Sequence, residues 1–117
     1  GLENIRMRGV LMGLSLNKIK SLEDEIAEFT ELGKFINLPV RSYSSGMNMR
    51  LGFAVSTAIP SDILLLDEWL SVGDADFSKK AETRLNNMMK KSEIVIIASH
   101  DHQLIKKTCN QSLKFEY

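Results

Sequence analysis

Long apolar runs are missing from this chain. The longest, Ile63 to Leu66 and Ile94 to Ala98, fall far short of the roughly 20 residues that a helix needs to cross a bilayer. No segment of the sequence is therefore expected to span a membrane. Cysteine is almost absent. The single Cys109 cannot close an intramolecular disulfide, and no thiol and histidine cluster has metal-ligand spacing, so a reducing compartment suits the chain. An excess of either charge is also lacking: fifteen basic and fifteen acidic side chains leave a formal net charge of zero. A broad electrostatic attraction to nucleic acid or anionic lipid is not indicated, and no nucleic-acid partner is expected. The start, Gly1-Leu2-Glu3-Asn4, has neither an initiator methionine nor a basic region followed by an apolar one. It does not resemble a signal peptide and reads as an interior cut. Internal repeats and low-complexity stretches are absent.

What is present, 117 residues with 44% apolar content, fits a single domain or a large piece of one. Ile5, Val10, Leu11 and Leu14 predict a helix over residues 4–14, with Gly13 near its end. A second helix follows, capped by Ser15 or Asn17. Ile19, Leu22, Ile26 and Phe29 recur on one of its faces, and the acidic run Glu23-Asp24-Glu25 falls mostly on its solvated side. Gly33 and Pro39 punctuate what comes next, so the first forty residues read as helical, without a strand. After Arg41 a small polar stretch leads into Leu51, Ala54, Val55 and Ala58, the buried stripe of a helix that must stop before Pro60. Two apolar runs, 63–66 and 94–97, read as strands covered on both faces, and a helix over 77–89 joins them. That is a βαβ unit with parallel strands and a right-handed crossover. A helix over 102–109 and a short strand over 112–115 close the chain.

In open α/β sheets ligands bind beyond the carboxyl ends of the strands, which is where Asp67-Glu68 and Ser99-His100 project. Each alone has an ordinary explanation. A carboxylate pair after a strand is often a solvated turn, and a lone histidine is often a hydrogen-bonded structural residue. Ser44-Ser45-Gly46 at a helix start is either a plain serine N-cap or a phosphate site, because the first amides of a helix lack internal partners and its dipole favours an anion. The order in which these features occur favours the functional reading. A polar glycine turn opens a helix, an apolar strand ends in Asp-Glu, a polar loop follows, and a second strand ends in His.

In that order the features resemble those of an ABC transporter ATP-binding subunit. Tyr43-Ser44-Ser45-Gly46-Met47 resembles the ABC signature, usually written LSGGQ, and Ile63-Leu64-Leu65-Leu66-Asp67-Glu68 looks like a Walker B strand with its catalytic glutamate. Ser71-Val72-Gly73-Asp74 stands where the D-loop belongs, and Ser99-His100-Asp101 matches the switch-histidine loop. The resemblance covers essentially the whole chain and is nearest to exporters of O-antigen, capsule or teichoic-acid chains. It implies an α/β fold that is a partial P-loop NTPase, with a helical subdomain over 1–40 and, over 41–117, the signature helix and the C-terminal part of a RecA-like core. Three residues depart from the commonest pattern: Ser45 for the first glycine of the signature, Met47 for its glutamine, and Gly73 for the leucine of many D-loops. A larger departure is that no G-x-x-x-x-G-K-[ST] stretch occurs, so the Walker A half that would grip ATP is missing.

The resemblance further implies an ATPase that works as a head-to-tail pair, using ATP and Mg2+. The turn Ser44, Ser45 and Gly46 would cover the γ-phosphate of ATP held by the second subunit. Asp67 would hold Mg2+ through water, Glu68 would orient the attacking water, and His100 would reach the γ-phosphate. Asp74 would lie on the dimer seam. A membrane-spanning permease would be the other partner, with the chain peripheral on the cytoplasmic face of the membrane. Because Walker A is absent, these 117 residues alone are expected to be inactive. The alternatives are an ABC-type ATPase that moves no solute, of translation-factor or DNA-maintenance type, and a non-catalytic regulatory module on the same fold.

Overall fold

A computed structural model describes residues 1–68 and 74–115, and the fold within them is α/β with a small parallel sheet. Helix α1 (Leu2–Leu11) ends where Gly13 adopts a left-handed conformation, φ 84°. The Leu14 amide donates to the Gly9 carbonyl (3.1 Å) and the Gly13 amide to the Val10 carbonyl (2.9 Å), the paired bonds of a Schellman stop. Helix α2 (Leu16–Thr30) starts at Ser15, whose hydroxyl accepts from the Lys18 amide at 3.2 Å. Of the two caps the sequence offered, the structure uses this one. A side chain at Gly9 would have its Cβ 2.6 Å from Ile19 Cγ1, so α1 and α2 pack this closely only because glycine stands there. Two short 3-10 turns, Gly33–Asn37 and Val40–Ser42, carry the chain past Pro39.

Helix α3 (Ser45–Ser56) buries Leu51, Ala54 and Val55 against Ile5, Ile26 and Ile36. Its Phe53 turns the other way, toward a second cluster with Phe77, Ala81 and Leu85 of helix α4 (Ala75–Lys91). Strands β1 (Ile63–Asp67) and β2 (Ile94–Ala98) are parallel, with Ile63 opposite Ile94 and Asp67 opposite Ala98. Helix α5 (His102–Thr108) follows. No helix among the described residues is long and apolar enough to cross a membrane.

Three expectations need correction. The strands are covered on one face only. Leu64 and Leu66 pack on the second cluster, while Ile63, Leu65, Ile94 and Ile96 are exposed. A continuous apolar run signals two covered faces, but nothing among the described residues lies on the other side. Residues 112–115 form no strand, and Leu113 and Phe115 are exposed. Their alternation supplies a pattern but no ladder, since the sheet of the described residues has two strands. Finally, Glu23 is buried rather than solvated. It lies on the same stripe as Ile19 and Ile26, and its carboxylate accepts from Arg6 at 2.8 and 3.3 Å, which offsets the loss of water.

Candidate functional site

Parallel pairing brings the carboxyl ends of β1 and β2 to one edge, and the acidic and imidazole groups meet there. Glu68 extends the ladder by one bond, its amide donating to the Ala98 carbonyl at 2.8 Å. The backbone then turns sharply, with Glu68 at φ 64°. A non-glycine residue in the left-handed region costs about 1 kcal/mol or more, and such residues cluster at functional sites. The turn brings Glu68 Oε1 to 3.5 Å from His100 Nε2, with the two side chains 55% and 98% exposed. Both groups are thus open to a ligand arriving from outside. Asp67, one residue earlier, is also exposed.

Local chemistry explains how His100 is held out. The Ser99 hydroxyl accepts from the Asp101 amide at 3.1 Å, and the Asp101 carboxylate caps α5 by accepting from the Gln103 and Leu104 amides at 3.0 and 3.1 Å. His100 therefore stands on a loop braced on both sides.

At the start of α3 the Ser44 hydroxyl accepts from the Met47 amide at 3.2 Å, and the Asn48 amide donates to the Ser44 carbonyl at 3.0 Å. The Ser45 and Gly46 amides have no partner among the described residues, as expected for the first amides of a helix. Among the described residues a Cβ at Gly46 would meet only Ser44 Oγ, at 3.9 Å, so their packing does not require glycine there. No hydrogen bond or ion pair among the described residues joins this turn to Glu68 or His100.

Of the expected D-loop, Ser71, Val72 and Gly73 lie outside the described residues. Asp74 opens α4, its Oδ1 accepting from the Phe77 amide at 2.9 Å, while its Oδ2 pairs with Arg50 of α3. The Phe77 amide lowers the Asp74 carboxyl below its ordinary value. Partial loss of water opposes this, and the charge and hydrogen bond of Arg50 and the Asp76 amide reinforce it. The fold thus favours the ionised form at neutral pH, and that contribution fades as the pH falls through the lowered value. Arg50 is the residue that sequence reasoning missed. Its only signal was a lone cation on the otherwise apolar and small-residue helix that begins at Ser45.

A cleft of about 670 Å³ lies away from these groups, between α2, the end of α3 and α4. Two of its cations are already engaged. Lys80 donates to the Phe29 carbonyl at 2.7 Å, and Arg84 donates to the Thr57 carbonyl at 3.1 Å and to Glu25 at 2.8 Å. The cleft is a braced seam, distinct from the strand ends where Glu68 and His100 meet.

A parallel α/β pair with a carboxylate and an imidazole meeting beyond its carboxyl ends has the form of a ligand-binding α/β protein. No protein-family model matches the chain. Individual proteins do. It is 50% identical over 117 residues to the O-antigen export system ATP-binding protein RfbE of Yersinia enterocolitica, covering all of this chain and 49% of that protein. It is 43% identical over 117 residues to the teichoic acids export ATP-binding protein TagH of Bacillus anthracis, covering all of this chain and 21% of that protein. It is 41% identical over 110 residues to the O-antigen export system ATP-binding protein RfbB of Myxococcus xanthus, covering 94% of this chain and 25% of that protein. The chain is therefore a homologue of a segment of O-antigen and teichoic-acid export ATP-binding proteins, and it spans about half or less of their length.

Proposed function

We propose that these residues are part of the ATP-binding, ATP-hydrolysing subunit of an ABC transporter that exports a cell-surface polysaccharide. The observation that carries the reading is the meeting of Glu68 and His100 at the ends of adjacent parallel strands, in a chain homologous to export ATP-binding proteins along its whole length. Residues 1–40 form the helical subdomain in this reading, and residues 41–117 the signature helix and the later part of a P-loop core. The apolar sheet face left bare here and the greater length of the relatives both support a piece of a larger fold.

The Ser44 hydroxyl has used an acceptor position on the Met47 amide, so its proton is free to donate to an anion. With the Ser45 and Gly46 amides it covers the γ-phosphate held by a second subunit in a head-to-tail pair. Glu68 orients the attacking water and takes its proton as the γ-phosphorus bond to the ADP oxygen breaks. His100 donates to a γ-phosphate oxygen and stabilises the charge that develops there. Mg2+ neutralises phosphate charge when bound. Asp67 would hold the ion through water, since its single exposed carboxylate suits an ion that keeps several of its waters. A membrane-spanning permease binds the helices before Pro39, which holds the subunit peripherally on the cytoplasmic face of the membrane.

Replacing Ser44 by tryptophan in the complete protein is expected to abolish ATP-dependent pairing, measured by size-exclusion chromatography with ATP and Mg2+. Unchanged pairing would remove the Ser44 turn from the site. The 117 residues expressed alone are expected to release no phosphate from ATP, because the loop that grips the nucleotide is not among them. Robust turnover by the purified chain would overturn that.

A further inference from the structure

We infer that Arg50 is a positioning residue for Asp74: its guanidinium holds the carboxylate that opens α4 and ties it, through Glu31 and the Thr30 carbonyl, to the end of α2. The inference rests on the reading of Ser44 and Asp74 given above and extends it to a residue which that reading leaves out.

Arg50 lies on α3, roughly two turns of helix beyond Ser44. Its side chain is only 18% exposed, and both of its terminal nitrogens are engaged. Nη2 pairs with Asp74 Oδ2. Nη1 donates to the Thr30 carbonyl at 3.3 Å and stands 3.6 Å from Glu31 Oε2. Cζ lies 4.6 Å from the centre of the Phe77 ring. Glu31 is in turn paired with Lys80 of α4 at 3.2 Å, so the charges alternate from Lys80 through Glu31 and Arg50 to Asp74. A flat guanidinium supported from below by an aromatic ring, with acceptors around its edge, has little freedom to turn.

Asp74 is fixed from both sides, one oxygen on the Phe77 amide and the other on Arg50. Partly exposed ion pairs add little to stability, so what this arrangement supplies is direction. The Ser44 turn and Asp74 belong to different elements, and Arg50 makes them move as one. Closure of the turn over a nucleotide would carry Asp74 to the seam between subunits, and the link to Glu31 would transmit the same movement to the helices before Pro39.

The test uses the complete protein with Arg50→Met, Arg50→Lys, Asp74→Asn and the double variant Arg50→Met/Asp74→Asn. In Arg50→Met, kcat should fall roughly tenfold or more while KM for ATP stays nearly constant, because misplacement of a group at the seam where the two subunits assemble the site acts on turnover. Asp74→Asn should do the same, and the double variant should be no worse than the poorer single one. Arg50→Lys, which keeps the charge but loses the fork, should recover part of the loss, and it carries the test if Arg50→Met does not fold. A lower melting temperature with kcat unchanged, or losses that multiply in the double variant, would overturn the inference. If the wild-type protein hydrolyses no ATP, the ATPase reading fails, and titration of the Asp74 carboxyl by carbon-detected NMR decides the placement alone. Its pKa should rise in Arg50→Met, and an unchanged value would show that Arg50 does not hold it.

Discussion

Glu68→Gln in the complete protein is expected to lower ATP turnover by roughly a hundredfold to ten-thousandfold, the range over which a general base acts, while ATP-driven pairing persists. Glutamine has the shape of glutamate and can keep the approach to His100, which stands 3.5 Å away. It can also keep the left-handed backbone at this position, where φ is 64°, at no greater strain than glutamate. What it loses is the ability to accept a proton from water. Nucleotide contacts made by the Ser44 turn are untouched, so the variant should accumulate as the ATP-bound pair. Phosphate release at saturating ATP measures the first effect, and size-exclusion chromatography the second. Turnover within about twofold of wild type would be too small a change for a lost general base, and would remove Glu68 from the chemistry.

The second large effect is on stability. Phe77 is completely buried and stands at the centre of the second core. Its ring meets Phe29 edge-on at 5.7 Å and Phe53 at 6.3 Å between centroids, and Arg50 lies over its face. Phe77→Ala is expected to destabilise the fold by about 3–5 kcal/mol, as truncations of core aromatics do. Against a typical total of about 5–15 kcal/mol, much of the protein would unfold at modest urea concentrations. Urea titration followed by circular dichroism measures the loss, and Phe77→Leu should recover part of it. A loss below about 1 kcal/mol would mean that the three rings do not form a packing centre. Because the Phe77 amide also caps on Asp74, the start of α4 should loosen with the ring.

The elements that local rules govern were legible in the sequence. Ser15 and Ser44 cap helices because a hydroxyl there reaches the third amide, and Gly13 ends α1 because it tolerates a positive φ. The apolar runs become parallel strands, and their ends bring Glu68 and His100 together. What the sequence hid depends on contacts between distant residues. Glu23 reads as solvated until Arg6 is brought beside it by the crossing of α1 and α2. Phe53 leaves the stripe of Leu51 and Val55 because α4 offers a second core on its other side. Arg50 has no role that the sequence reveals until Asp74, twenty-four residues later, is folded against it. The two-sided burial expected of β1 and β2 failed for another reason. Pattern reports what a strand needs, and these residues do not supply all of it.

That unmet need governs how the polypeptide behaves in isolation. Two strands, with no further strand beside them among the described residues, and an oily flank made by Ile63, Leu65, Ile94 and Ile96 form a template on which further copies can stack. Left uncovered, that flank would present a recognition surface to chaperones and proteases. How long the folded core persisted would be set by how soon a covering layer reached it.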